Sequence, residues 1–235
     1  MSSLNILSGG AVQGLVGSLA PKFKALTDFD ITGEFGAVSA MADKLRNGVA
    51  TDIVILTAAI VARLATEKLV VPTSIADVGL VETALAVRAG EPQVTANDAA
   101  TLREALLAAD AIFVPDTRAS TAGIHAAKVL HQLGIAEQVS ARLRIFPNGA
   151  TAMRQLAASD ATGPIGCTQS TEIISTPGVA LSGSLPKGYH LSTVYTAAVA
   201  TGAVHARQAR DLIGLLTAAE HHEQRQRAGF LNAEK

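Results

Sequence analysis

Short runs of β-branched and aliphatic residues alternate with longer alanine-rich stretches of helical period along most of this chain, and few architectures accept that alternation. Parallel strands joined by crossover helices do, with helices covering both faces of the sheet. The pattern predicts a strand at Leu4 to Leu7 and a helix from Ala11 to about Leu26, then a strand at Asp30 to Phe35 and a helix from Ser39 to Asn47. A strand at Asp52 to Leu56 and a helix from Ala58 to Leu69 follow.

The pattern then breaks. An extended segment, Leu80 to Val87, leads into Arg88, Ala89, Gly90, Glu91 and Pro92, after which the alternation restarts. Its second round predicts helix Asn97 to Ala108, strand Ala111 to Val114, helix Thr121 to Leu133, strand Leu143 to Phe146, helix Ala150 to Ala158 and strand Gly163 to Thr168. A further extended stretch, Tyr189 to Ala198, precedes a polar-faced helix from about Ala203 to the end of the chain. One crossover out and one back make the first lobe discontinuous: residues 1–81 plus 196–235 form lobe 1 and residues 82–195 form lobe 2. The chain of 235 residues is long enough for two such lobes, each with its own core.

Apolar residues make up 49% of the chain but aromatics only 3%, with no Trp, so the cores are aliphatic and no platform for stacking bases is available. The formal net charge of -1 removes the broad positive surface that nucleic acid or an anionic membrane requires, so any anion has to be caught locally. The opening Met1, Ser2 and Ser3 run directly into the first strand without the features of a secretory signal, and no apolar run reaches the ~20 residues of a membrane span. The expected location is cytoplasmic, without membrane insertion. Cys167 is the one cysteine, read as a buried structural thiol beside Pro164, Ile165 and Gly166.

Small or hydroxylated residues recur where helices begin. Ser8, Gly9, Gly10 and Ala11 lead into the first helix; Gly36, Ala37, Val38 and Ser39 into the second; Thr57 follows the third strand. In the second lobe the corresponding places are Asp116 to Gly123, which includes Ser120, Thr121 and Ala122, then Asn148, Gly149, Ala150 and Thr151, and then Gln169 to Thr171. Small residues let a ligand approach the backbone, and free N–H groups at a helix start attract negative charge. Ser, Thr and Asn at such places also cap their own helices. The glycines Gly9, Gly10, Gly14 and Gly17, with Glu34 further on, suggest a dinucleotide fingerprint, but their spacing is not G-x-G-x-x-G.

Arg118 is the cation inside a hydroxyl-rich junction and suits a bidentate pair with a carboxylate, with Asp116 as a nearby counter-ion. Glu172, His190 and Tyr195 are candidate acid/base groups, and Glu34 is a further carboxylate near a helix start. His125, His131, His205, His221 and His222 lie in or near helices, where exposed surface histidine is the default. No metal-ligand spacing and no nucleophile signature is present, so neither a metal nor a cofactor is expected, and no catalytic residue is assigned.

The order of these junctions resembles the type 2 periplasmic-binding-protein fold, in particular the molybdate-binding proteins of ABC transporters. The resemblance is carried by Leu4 to Ala11, Gly36 to Gly48 with Asp52 to Leu56, Thr121 to Ile124 before Leu133 and Gly134, Gly163 to Glu172, and the closing Ala228, Gly229 and Phe230. It implies two lobes, each a mostly parallel sheet flanked by helices, with a ligand cleft between them. In that family two serines, backbone amides and a tyrosine hold a tetrahedral oxyanion. Here the first serine position falls on Gly10 or Ala11, with Ser8 displaced, the second on Val38 or Ser39, and the tyrosine position on Gln169; the backbone donors correspond to Ala122 and to Gly149 or Ala150. An ABC permease is implied as partner only for an exported chain. The resemblance extends to aconitate isomerase, which implies an alternative: allylic proton transfer on an unsaturated carboxylate, with Arg118, Ser120 and Thr121 as clamp and Ser39, Gly10 and Gly149 as donors.

Binding of a small oxyanion or carboxylate, isomerisation of an unsaturated carboxylate and nucleotide-cofactor chemistry are thus the readings the sequence leaves open. Ligand identity and oligomeric state are not written in it.

Overall fold

The computed structural model describes residues 2–231 and folds as a mixed α/β chain. It forms two compact units, one spanning Met1–Val81 and Thr193–Lys235, the other Glu82–Ser192.

The first unit begins with β1 (Ser3–Gly9), which passes through a short 3-10 turn at Gly10–Val12 into α1 (Gln13–Thr27). Asp28, at φ 61°, ends α1 by adopting the left-handed conformation, and β2 (Asp30–Gly36) follows. Then come α2 (Val38–Arg46), β3 (Ile53–Thr57) and α3 (Ala58–Thr66). The expected extension of α3 to Leu69 does not form, because the chain turns at Lys68, at φ 59°. The chain leaves this unit within β4 (Ala76–Arg88).

In the second unit α4 (Ala99–Ala108) starts with a reciprocal cap in which Asp98 and Thr101 satisfy each other's backbone amides. β5 (Ile112–Pro115), α5 (Thr121–Gln132), α6 (Ala136–Val139), β6 (Leu143–Phe146), α7 (Gly149–Ala157), β7 (Ile165–Gln169), α8 (Ser170–Ile174) and β8 (Val179–Ser184) complete it. The chain returns to the first unit at the start of β9 (Ser192–Val199) and continues into α9 (Ala206–Thr217) and α10 (His222–Arg227). The long final helix expected from Ala203 is therefore broken at Ala218, whose ψ of 138° is not helical; the part of that expectation beyond Leu231 lies outside the described residues.

Within the first unit β2, β1 and β3 are parallel neighbours, and β9 runs antiparallel to β3. Within the second, β7, β5 and β6 are parallel, with β4 antiparallel to β7 and β8 antiparallel to β4. All five residues of β3 are buried, as expected of a strand covered on both faces. One largely aliphatic core fills the first unit, built on Leu4, Ile6, Leu15, Leu19, Ile53 and Leu56 with Phe23 among them; burial of side chains this size stabilises by roughly 1.5–3 kcal/mol each. In the second unit α5 packs Ala126, Val129 and Leu130 on one sheet face, and α7 packs Ala152, Met153 and Leu156 on another core cluster. Asp52, 2% exposed, ties the first unit together: its Oδ2 accepts from the Asn5 amide at 2.9 Å and its Oδ1 from the His205 amide at 2.8 Å.

Candidate functional site

In a parallel α/β sheet the helix starts gather at the carboxyl ends of the strands. In the second unit the end of β7 is the most polar of these places. Successive side chains along a strand point to opposite faces. Gly166 lies against Met153 and Leu156 of α7, and Cys167 belongs to the cluster containing Ala126 and Leu130 of α5. By that alternation Thr168 shares the α7 face and Gln169 the α5 face.

On the α7 face stands Glu172, buried at 5% exposure. Its Oε2 accepts from the Thr168 hydroxyl at 2.6 Å, and its carboxyl also accepts from the backbone amides of Gln169, Ala150 and Gly149. Burial pushes this carboxyl above the usual glutamate range, against the opposing pull of those donors. A Cβ on Gly149 would sit 1.9 Å from Glu172 Oε2 and 2.1 Å from Thr168 Oγ1, so glycine is what lets the acid reach the helix start. Asn148 caps the same helix through its side chain, accepting from the Thr151 amide at 2.8 Å. The start of α7, including the Gly149 and Ala150 amides, is therefore already served by the chain's own acceptors.

The α5 face differs. Among the described residues Gln169, 2% exposed, has neither its Oε1 nor its Nε2 hydrogen-bonded, and the buried hydroxyls of Thr83 and Thr171 also lack partners. Thr83 is the direct register partner of Gln169 across β4 and β7, and Thr171 lies two residues beyond Gln169 at the start of α8. Thr83, within the expected extended run Leu80 to Val87, and Thr171, within the expected Gln169 to Thr171 junction, were not singled out by the sequence. A hydroxyl beside Ala84 in a buried strand was the available signal for Thr83.

At the start of α5, Ser120 occupies the cap position without a side-chain cap bond, and Ala122 is buried behind it while Thr121 is partly exposed. Asp116 Oδ1 accepts from the amides of Arg118 and Ala119 at 2.7 and 3.0 Å, so it shapes the loop instead of pairing with the Arg118 guanidinium. Arg118 is exposed, and among the described residues no carboxylate forms an ion pair with it.

In the first unit Ser8, Gly9, Gly10 and Ala11 are all buried, and the Ser8 hydroxyl donates to the Gly9 carbonyl at 3.0 Å. Gly9 is pressed between Tyr195 and Val38: an added Cβ would lie 2.8 Å from the Tyr195 ring and 2.9 Å from Val38. Tyr195 is 2% exposed and pairs in register with Thr57, which starts α3 without a side-chain cap bond. The second helix is capped by Ala37, again without a side-chain bond, and Ser39 is exposed on it.

The remaining titratable groups are scattered. His190 is exposed; His125 is buried, with Nε2 2.6 Å from the Tyr189 carbonyl oxygen, and burial lowers its pKa. Burial pushes the Cys167 thiol up to about 12. Its neighbouring apolar cavity, of about 10 Å³, has room for no more than a water. Among the described residues no three His, Cys, Asp or Glu side chains come together to hold a metal, and no helix is long and apolar enough to cross a membrane.

A family model described as bacterial extracellular solute-binding protein matches residues 4–231 of this chain. The chain is 23% identical over 227 residues to an aconitate isomerase of a Pseudomonas species, covering 92% of this chain and 82% of that one. The periplasmic molybdate-binding protein of Azotobacter vinelandii superposes with a TM-score of 0.80 at 17% identity, over 98% of this chain and 100% of that chain. The sulfate-binding protein of Mycobacterium tuberculosis H37Rv gives a TM-score of 0.75 at 17% identity, over 100% of this chain and 88% of the other. At such identities the structural likeness concerns the fold, the type 2 periplasmic-binding fold.

Proposed function

Since this chain belongs to the bacterial extracellular solute-binding protein family, we propose that its solute is a small anion held at a helix start on the carboxyl edge of the second unit's sheet. The observation that carries this reading is the set of buried polar atoms on Thr83, Gln169 and Thr171 that lack partners among the described residues, at the carboxyl end of β7, whose Gln169 lies on the sheet face that α5 covers. Each buried donor or acceptor without a partner costs roughly 1–3 kcal/mol, so several at one strand end make sense where a ligand completes them. The free amides at the start of α5 and the positive helix end supply the attraction for negative charge. Ser120, Thr121 and Ala122 are the residues of that start, and Arg118 is the nearby cation in sequence, with no competing carboxylate partner among the described residues.

A thermal-shift series with sulfate, molybdate, hydrogen phosphate and di- and tricarboxylates tests the proposal. A bound anion at 100 times its Kd stabilises by about 2.7 kcal/mol. Loss of the shift in a Gln169→Leu variant that remains folded supports the location; the absence of any shift across the series at millimolar concentration overturns the reading.

The match to an aconitate isomerase over 92% of this chain favours a second reading, an isomerase of unsaturated carboxylates. That reaction removes a proton from the carbon at one end of an allyl unit and returns one at the other end, so the double bond moves and nothing else changes. Of the candidate acid/base groups, Glu172 is enclosed by its own donors and His190 is exposed. Incubation of an unsaturated tricarboxylate in D2O, followed by NMR, tests it: deuterium entering the allylic carbon supports the isomerase, and an unexchanged substrate removes it.

A further inference from the structure

We propose that the solute of this chain carries an O–H donor beside its acceptor oxygens, so that the site selects against fully deprotonated oxyanions. The proposal rests on the anion-binding reading above and concerns which anion fits. Its basis is the side-chain amide of Gln169, which is buried and, among the described residues, unpartnered at both ends.

An amide presents two N–H donors on Nε2 and an acceptor on Oε1, and exchanging the two ends leaves the same demand. The buried hydroxyls of Thr83, the register partner of Gln169, and of Thr171, two residues further along the chain, can each donate or accept. A sulfate or molybdate dianion offers acceptors only. It can take up Nε2 and both hydroxyls, yet it leaves Oε1 buried against another set of lone pairs. An anion with a hydroxyl offers acceptor and donor together, and so completes the amide at both ends. Hydroxycarboxylates and hydrogen phosphate share this chemistry. No protein donor reaches Oε1 among the described residues, whereas the carboxyl of Glu172 on the other face is fully supplied. A site built to hydrogen-bond a ligand hydroxyl rejects the analogue that lacks it far more strongly than a shape-fitting pocket does.

The test is calorimetric titration of the full chain with matched pairs that differ in the hydroxyl: malate against succinate, citrate against tricarballylate, and hydrogen phosphate against sulfate. The hydroxyl-bearing member of at least one pair is expected to bind about tenfold tighter or more. In Gln169→Met, which keeps the length of the side chain and removes both polar ends, that preference is expected to collapse while the thermal transition is retained. The pairs also separate the sources: a preference for malate or citrate indicates a hydroxycarboxylate, a preference for hydrogen phosphate an inorganic or ester phosphate. Equal affinities within every binding pair, or a preference that survives in Gln169→Met, overturn this proposal and leave the anion-binding reading standing. Failure of all six compounds to bind overturns both.

Discussion

The Thr168 hydroxyl donates to Glu172 Oε2 across 2.6 Å, and Gly149 brings the first amides of α7 to the same carboxyl. The chain thus supplies its own acid to one of its helix starts and leaves the start of α5 without a side-chain cap. The two faces of one short strand, β7, divide these tasks: Thr168 serves the closed face and Gln169 the open one.

Replacing Glu172 by Ala is expected to leave several buried donors unpaired and to lower unfolding free energy by about 3 kcal/mol or more. Urea denaturation measures this, and a loss under about 1 kcal/mol would contradict the enclosed geometry.

The same carboxyl predicts a pH dependence. Burial raises its pKa in the folded chain, so between the unfolded and the folded pKa the folded state holds a proton that the unfolded state has released. Its contribution is full below the unfolded pKa and is lost as pH rises through the folded value. The stability advantage of the native chain over Glu172→Gln should accordingly be larger near pH 5 than near pH 8. Equal differences at the two pH values would show that the shift is absent.

Two glycines in helices should respond oppositely to alanine. A Cβ on Gly123 would lie 2.2 Å from the Asp116 carbonyl oxygen and 2.4 Å from that of Pro115, so Gly123→Ala must displace the start of α5, at a cost of about 1–3 kcal/mol. Gly214, inside α9, has nothing among the described residues outside its own helix backbone within 4 Å of its added Cβ, and Gly214→Ala should stabilise by roughly 0.5–1 kcal/mol. Thermal denaturation of both variants checks the pair of signs.

Removal of the Asp52 side chain should be felt through two backbone amides at once, those of Asn5 and His205. Asp52→Ala is expected to cost about 2 kcal/mol or more in chemical denaturation. A neutral effect would mean that water replaces the carboxylate at both positions.

Cys167 is expected to be inert in the folded protein, since it is buried and its thiol is held at about 12. Its labelling by a disulfide reagent at about pH 8 should proceed only as the chain unfolds. Rapid labelling of the native chain would refute this.

Much of the secondary structure was legible because strand and helix periods are local properties of the sequence. Helix starts at Thr121 and Ala58 and the strand at Leu143 to Phe146 lie where their patterns place them. Ends were less legible: α3 stops short because Lys68 takes a left-handed conformation, and the final helix breaks at Ala218. The strand Val179–Ser184 carries too little apolar alternation to be recognised alone and exists through its pairing with β4.

The sequence by itself determined the alternating architecture, the aliphatic cores and the small, hydroxyl-rich helix starts, because periodicity and residue size act over a few neighbours. Only the tertiary structure decided which of those starts are already occupied. Whether Asn148, Ser120 or Thr57 caps its helix depends on a local rotamer, and whether Glu172 reaches the amides of Gly149 and Ala150 depends on residues more than twenty positions away. The same holds for Gln169 and Thr83, whose meeting is a matter of strand register, and whose missing partners become visible only once both are buried side by side.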